Sequence, residues 1–184
     1  TRTRDGWALA MFLKEGTHNY KFIVDGQWIT DPDNAKQRND GFGNINSVIE
    51  LGETSTITLK GFSTAKNVYL AGNFNNWRDK ELRMKQTSSG WELPLTLAAG
   101  NYEYKFIVDG EWITDPDNPN FNQESGNSFL AYKANHTFTF KAGNKKYKEV
   151  KIAGNFNGWN GITMAQENNT WKIDVYLPPG KCLY

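Results

Sequence analysis

The chain has 184 residues, with 21 Lys and Arg against 20 Asp and Glu, a formal net charge of +1. That balance offers no basic field for nucleic acid, and no apolar run approaches the roughly 20 residues of a membrane-spanning helix, so neither nucleic acid nor membrane is an expected partner. One cysteine, Cys182, allows no intrachain disulfide and no thiolate cluster; no metal or cofactor is expected, and the compartment leans toward a reducing, cytoplasmic one.

The chain repeats itself. The run YKFIVDGQWITDPDN at 20–34 returns as YKFIVDGEWITDPDN at 104–118, and VYLAGNFNNW at 68–77 returns as VKIAGNFNGW at 150–159. A repeat therefore holds an AGNFNxW element, a Gly-Trp strand and a YKFIVDGxW hairpin, in that order. Residues 1–51 carry the C-terminal half of a module, 56–132 a complete one and 136–184 an N-terminal half. Trp7, Trp91 and Trp171 occupy equivalent positions and are expected in the core or on an edge strand. A half sandwich leaves an apolar face and strand edges bare. The halves are completed by each other, by another chain in a self-association, or by sequence beyond this segment.

In chain order, the predicted strands of the complete module are Thr56 to Leu59, Val68 to Ala71, Trp91 to Leu95 and Tyr102 to Val108. They are short, β-branched and aromatic, and bounded by Gly, Asn, Asp and Pro, with no helical periodicity. Several such strands in about 80 residues indicate an all-β fold of tandem immunoglobulin-like antiparallel β-sandwich modules of the early-set type. The connectors near Leu51 to Ser55 and Ala131 to Asn135 are short enough to couple neighbouring modules.

Asp109-Gly110 is a type I′ turn signal, because both central positions need positive φ. The turn sets Val108 opposite Glu111, Ile107 opposite Trp112 and Phe106 opposite Ile113. Tyr104, Phe106, Val108 and Ile113 then face the core. Lys105, Ile107, Trp112 and Thr114 face away, as do Lys21, Ile23, Trp28 and Thr30 in the first copy. A tryptophan beside a lysine on an outer face suits sugar, because the C–H face of a pyranose lies on an indole while its hydroxyls need polar partners at the rim. Trp77, in the AGNFNNW loop, is either a core residue or a second stacking surface, and two indoles set at an angle would grip a curved glucan better than a flat one.

The AGNFNNW loop, the Gly-Trp strand, YKFIVDGxWxxDP and a following Asn-Ser pair together closely resemble carbohydrate-binding module family 48. That family includes the glycogen-binding domain of the AMP-activated protein kinase beta subunit and the N-terminal domains of isoamylases and branching enzymes. The resemblance implies that Trp77, Lys105 and Trp112 contact an α-1,4-linked glucan in the middle repeat, Lys21 and Trp28 in the first half, and Trp159 in the last. It also implies a contact loop before the final strand, placing Phe42, Asn44 and Asn46 there in GFGNINSVI. In the middle repeat the loop is shorter and keeps Asn127 without a clear apolar counterpart.

The recurring acids, Asp25 with Asp109 and Asp31 with Asp115, have local explanations in a turn and before a proline. His18 aligns with Tyr102, so no histidine recurs. Two carboxylates across a cleft, as glycoside hydrolysis requires, are not indicated. The expected function is non-catalytic binding of glycogen, starch or maltodextrin, by a module of the kind that relatives append to amylolytic enzymes. The alternative is an interaction sandwich that spaces or docks other domains.

Overall fold

The computed structural model describes residues 1–4 and 6–184. Its strand pairs are all antiparallel. Among the described residues, regular structure is otherwise limited to two short 3₁₀ turns, Asn73–Asn75 and Asn155–Asn157. The fold is an all-β sandwich. Among the described residues no helix is long and apolar enough to cross a membrane.

The middle segment forms two facing sheets. One pairs Thr54–Lys60 with Gly90–Thr96, which also pairs with Lys85–Gln86. The other has Gly100–Val108 at its centre, flanked by Val68–Gly72, Asn127–Tyr132 and the short Glu111–Ile113. Leu59, Trp91 and Leu95 from the first sheet meet Leu70, Tyr104 and Phe106 from the second in a buried core. Pro94 sits beyond the Lys85–Gln86 pairing, where its strand has become an edge and a missing N–H leaves no ladder bond broken on that side.

The hairpin register is the one its turn dictates: Phe106 pairs with Ile113, Ile107 with Trp112 and Val108 with Glu111. Asp109 and Gly110 both have positive φ, 48° and 97°. Phe106 is fully buried and Ile113 packs on the same core. The first copy repeats the pairing, Ile23 with Trp28.

The recurring aspartates do more than shape local backbone. Asp115 Oδ2 accepts a 2.5 Å hydrogen bond from the Tyr104 hydroxyl, and the Asp115 N–H donates to Ser128 Oγ at 2.8 Å. Asn118 Nδ2 donates to both Tyr104 Oη and the Phe129 carbonyl. Tyr20, Asp31, Asn34 and Ser47 form the same network in the first segment. Burial, and then the bond to Asp115, push ionisation of the Tyr104 hydroxyl far above its ordinary range. Asp109 likewise reaches across the fold, accepting from the Lys66 and Asn67 N–H groups. The DPDN run is therefore a tertiary clasp rather than a purely local turn.

The last segment has its own small core of Ile162, Met164, Trp171, Ile173 and Val175, completed by Phe129 from the middle segment. Alternation explains this loan: Ser128 and Leu130 face one side of their strand and Phe129 the other. A single bridge, Asn122 to Ile162, carries the middle sheet on into the last segment's short strands. The first segment's Gly16–Tyr20 pairs with Ile45–Leu51, and among the described residues no strand of it pairs with the last segment.

Trp7 departs from expectation. Trp91 and Trp171 are each 5% exposed because Thr54–Lys60 and His136–Lys141 pair beside them. Trp7 makes only an isolated bridge with Arg2 and is 82% exposed, with no such partner strand beside it among the described residues. Phe22 and Val24, the counterparts of Phe106 and Val108, are exposed for the same reason.

Candidate functional site

The AGNFNNW loop is built by its second asparagine. Asn75 Oδ1 accepts from the Gly72 N–H at 3.0 Å and its Nδ2 donates to the Arg78 carbonyl at 3.0 Å, closing the 3₁₀ turn Asn73–Asn75. The chain then passes through two consecutive left-handed residues, Asn76 (φ 54°) and Trp77 (φ 57°). Asn accepts that conformation readily, whereas a left-handed tryptophan carries a cost of about 1–2 kcal/mol. The last segment repeats the arrangement with Asn157, Gly158 (φ 63°) and Trp159 (φ 63°). The left-handed backbone thus recurs at the same indole in both segments.

Trp77 is thereby carried over the outer face of the hairpin sheet to Trp112. The two ring centroids are 6.3 Å apart and the planes are inclined at 42°. Trp112 remains 44% exposed, so one face of the pair meets solvent. Beside it on the same sheet face, Ile107 is buried.

Lys105, Thr114 and Asn127 converge on the loop before the final strand. Lys105 Nζ donates to the Ser125 carbonyl at 3.0 Å, and Thr114 Oγ1 donates to the Gly126 carbonyl at 2.5 Å. Gly126 has φ 64°, a left-handed conformation that glycine adopts freely and that makes the turn. Asn127 Nδ2 donates to Glu103 Oε2 at 2.7 Å, and Asn122 donates to the other carboxylate oxygen. Glu103 was not singled out from sequence. Its signal is the alternation that puts residues 101, 103 and 105 on one face of the strand Gly100–Val108.

The flanking segments hold partial versions. Trp28 is 67% exposed beside the half-buried Lys21, with no second indole near it among the described residues. Phe42 projects into solvent at 71% exposure. Asn44 Nδ2 donates to Asp40 Oδ2 at 2.9 Å, and the Phe42 N–H to Asp40 Oδ1 at 2.9 Å. The Asn44 bond foremost, and then that of the Phe42 N–H, hold the Asp40 carboxyl below its ordinary range. Asn46 is half-buried where the first segment meets the middle one. Trp159 is exposed and has no aromatic partner among the described residues.

A family model described as the glycogen recognition site of AMP-activated protein kinase matches residues 1–58 and again 54–137. The chain belongs to this family. The two matches to the glycogen-recognition family fall on the first and the middle segments, as the repeat requires. The beta-1 subunit of 5′-AMP-activated protein kinase from Sus scrofa is 39% identical over 61 residues, 33% of this chain and 48% of that sequence. The Homo sapiens beta-1 subunit matches at the same identity over 22% of its length, and the Mus musculus beta-2 subunit at 36% over 22%. The matched stretch thus spans about half, or less, of these relatives. The glycogen-recognition family is one of non-catalytic carbohydrate-binding modules, and this chain is such a carbohydrate binder.

Proposed function

We propose that the chain binds α-1,4-linked glucan, of the glycogen, starch or maltodextrin class, on a platform centred on Trp77 and Trp112. In this reading residues 56–132 are one complete module, flanked by the C-terminal half of a module at 1–51 and the N-terminal half at 136–184. Successive glucosyl units lay their C–H faces on the two indoles, while Lys105 and Asn127 hydrogen-bond to hydroxyls at the rim. Lys21, Trp28, Phe42, Asn44 and Asn46 serve the same purpose in the first half, and Trp159 in the last.

One observation carries the reading: the two indoles meet as a pair inclined at 42°, with Trp112 exposed to solvent and Trp77 half-buried beside it. A flat pair would fit an extended β-linked chain, whereas an inclined pair follows the turn between neighbouring units of a coiled α-glucan. Because Trp77 is fixed by backbone and Lys105 by the Ser125 carbonyl, little ordering remains to be done on binding. The site is shallow, so single-platform affinity is expected on the order of micromolar to millimolar.

Isothermal titration with maltoheptaose tests the proposal. Trp112→Ala should weaken binding by about 1–3 kcal/mol, the loss of one stacking surface. A folded chain that binds no glucan, or a Trp112→Ala variant that binds as well as wild type, would instead favour a module that spaces or docks other domains.

A further inference from the structure

The platform does not end at Trp77. That indole also forms one wall of a cleft of about 370 Å³ between the middle and last segments, within the roughly 300–1,000 Å³ range of small-molecule sites. Tyr102 and Phe156 supply aromatic surface in the cleft, with Asn73 on the Trp77 side and Asn160 on the last segment's side. Asn73 and Asn160 are exposed, and neither side chain makes a hydrogen bond among the described residues. This contrasts with Asn75 and Asn157 in the same loops, whose amides are consumed in holding the turns. Two free amides beside half-buried aromatic rings form the surface a neutral polyol can use: apolar contact for C–H faces, donors and acceptors for hydroxyls.

The cleft is held open by specific contacts. Asn101 Nδ2 donates to the Tyr176 carbonyl at 2.8 Å and its Oδ1 accepts from the Tyr176 N–H at 2.8 Å. Thr163 Oγ1 donates to the Pro119 carbonyl and accepts from the Phe121 N–H. The junction between the first and middle segments is made in the same way. There Thr17, at the repeat position of Asn101, donates to the carbonyl of Thr96, at the repeat position of Tyr176, at 3.0 Å. That junction encloses a corresponding cleft of about 570 Å³ between His18 on one side and Phe74 and Arg78 on the other. A space that recurs at equivalent positions of two junctions is a property of how the segments dock, not an accident of one loop.

We infer that the cleft between the middle and last segments is an extension subsite for the same glucan: a chain lying on Trp112 and Trp77 continues past Trp77 into it, so that one ligand contacts two segments. This rests on the reading of Trp77 and Trp112 as the sugar platform. It makes binding depend on chain length beyond what the two indoles cover, and it makes the docking of the last segment part of the site.

The test uses the full chain and two ligands, maltotriose and maltoheptaose, titrated against wild type, Trp112→Ala, Asn160→Phe and Asn73→Ala, each checked for native far-UV and near-UV circular dichroism. Wild type should gain about tenfold or more in affinity from maltotriose to maltoheptaose. Asn160→Phe, which fills the cleft from an exposed position, should flatten that gain several-fold, and Asn73→Ala should reduce it. Trp112→Ala should weaken both ligands. If Trp112→Ala weakens both while neither asparagine variant alters the length dependence, the extension subsite is overturned and the platform stands. If Trp112→Ala changes neither, the platform is overturned and the subsite falls with it.

Discussion

Phe129 belongs by sequence to the middle segment and by packing to the last, and replacing it with alanine should separate the two energetically. Its side chain is 5% exposed among Ile162, Met164, Trp171, Ile173 and Val175. Truncating a phenylalanine buried to this degree costs about 3–5 kcal/mol, the lost transfer energy plus the cavity left behind. The middle core, on Phe106, Leu70, Leu59 and Trp91, does not include it. The loss should therefore fall on the last segment, whose own core is five residues and Phe129. Hydrogen exchange with residue resolution reads this directly. Amides of Thr170–Val175 should lose about two to three and a half powers of ten in protection, since each 1.4 kcal/mol is tenfold. Amides of Gly100–Val108 should hold theirs. Equal loss in both strands would mean that the two cores unfold as one unit, and an unchanged Thr170–Val175 would mean that Phe129 contributes no packing there; either result refutes the reasoning.

Asp109→Ala should destabilise the chain by about 1–2 kcal/mol in urea titration, because the Lys66 and Asn67 N–H groups lose their acceptor and the residue has φ 48°. Asp25→Ala, in the equivalent turn without such partners among the described residues, should cost clearly less, and equal costs would argue against a contribution from the Lys66 and Asn67 bonds. Gly126→Ala should cost about 1 kcal/mol in urea titration from its φ of 64°, and an unchanged midpoint would count against a left-handed requirement at that turn. The Asp40 carboxyl is held below its ordinary value of 3.8 by the Asn44 side chain and the Phe42 N–H. A depressed folded-state value means that the ordering of the 40–44 loop is complete above pH 3.8 and is lost as pH falls below it. The amide resonances of Phe42 and Asn44 should accordingly titrate with a midpoint under 3.8, and one at or above that value would sink the assignment.

What could be read from sequence was whatever a short stretch of chain decides alone. Asp109-Gly110 fixes a turn, the turn fixes a register, and the register puts Trp112 and Phe106 on opposite faces; burial of the Phe106 face then needs the opposing sheet, as the exposed Phe22 shows. The pairing of Trp77 with Trp112 lay out of reach, because it depends on two successive left-handed residues whose effect on chain direction is not encoded in hydrophobic alternation. The tie between Asp115 and Tyr104 was hidden for a related reason: a turn-forming aspartate looks complete on local grounds, and its second bond exists only once the strands are assembled. Trp7 shows the converse. Its sequence context matches that of Trp91, but burial needs a neighbouring strand, and a side chain carries no information about whether that strand is present.

The repetition of one junction, Thr17 on Thr96 and then Asn101 on Tyr176, has a geometric corollary. Each segment meets its successor through a different surface from the one it offers its predecessor, so the junction is head-to-tail and one operation relates each neighbour to the next. Any further copy added by that rule would repeat the same rotation and the same advance. The exposed indoles would then recur at a constant interval along the array, held there by the junctions rather than by free linkers.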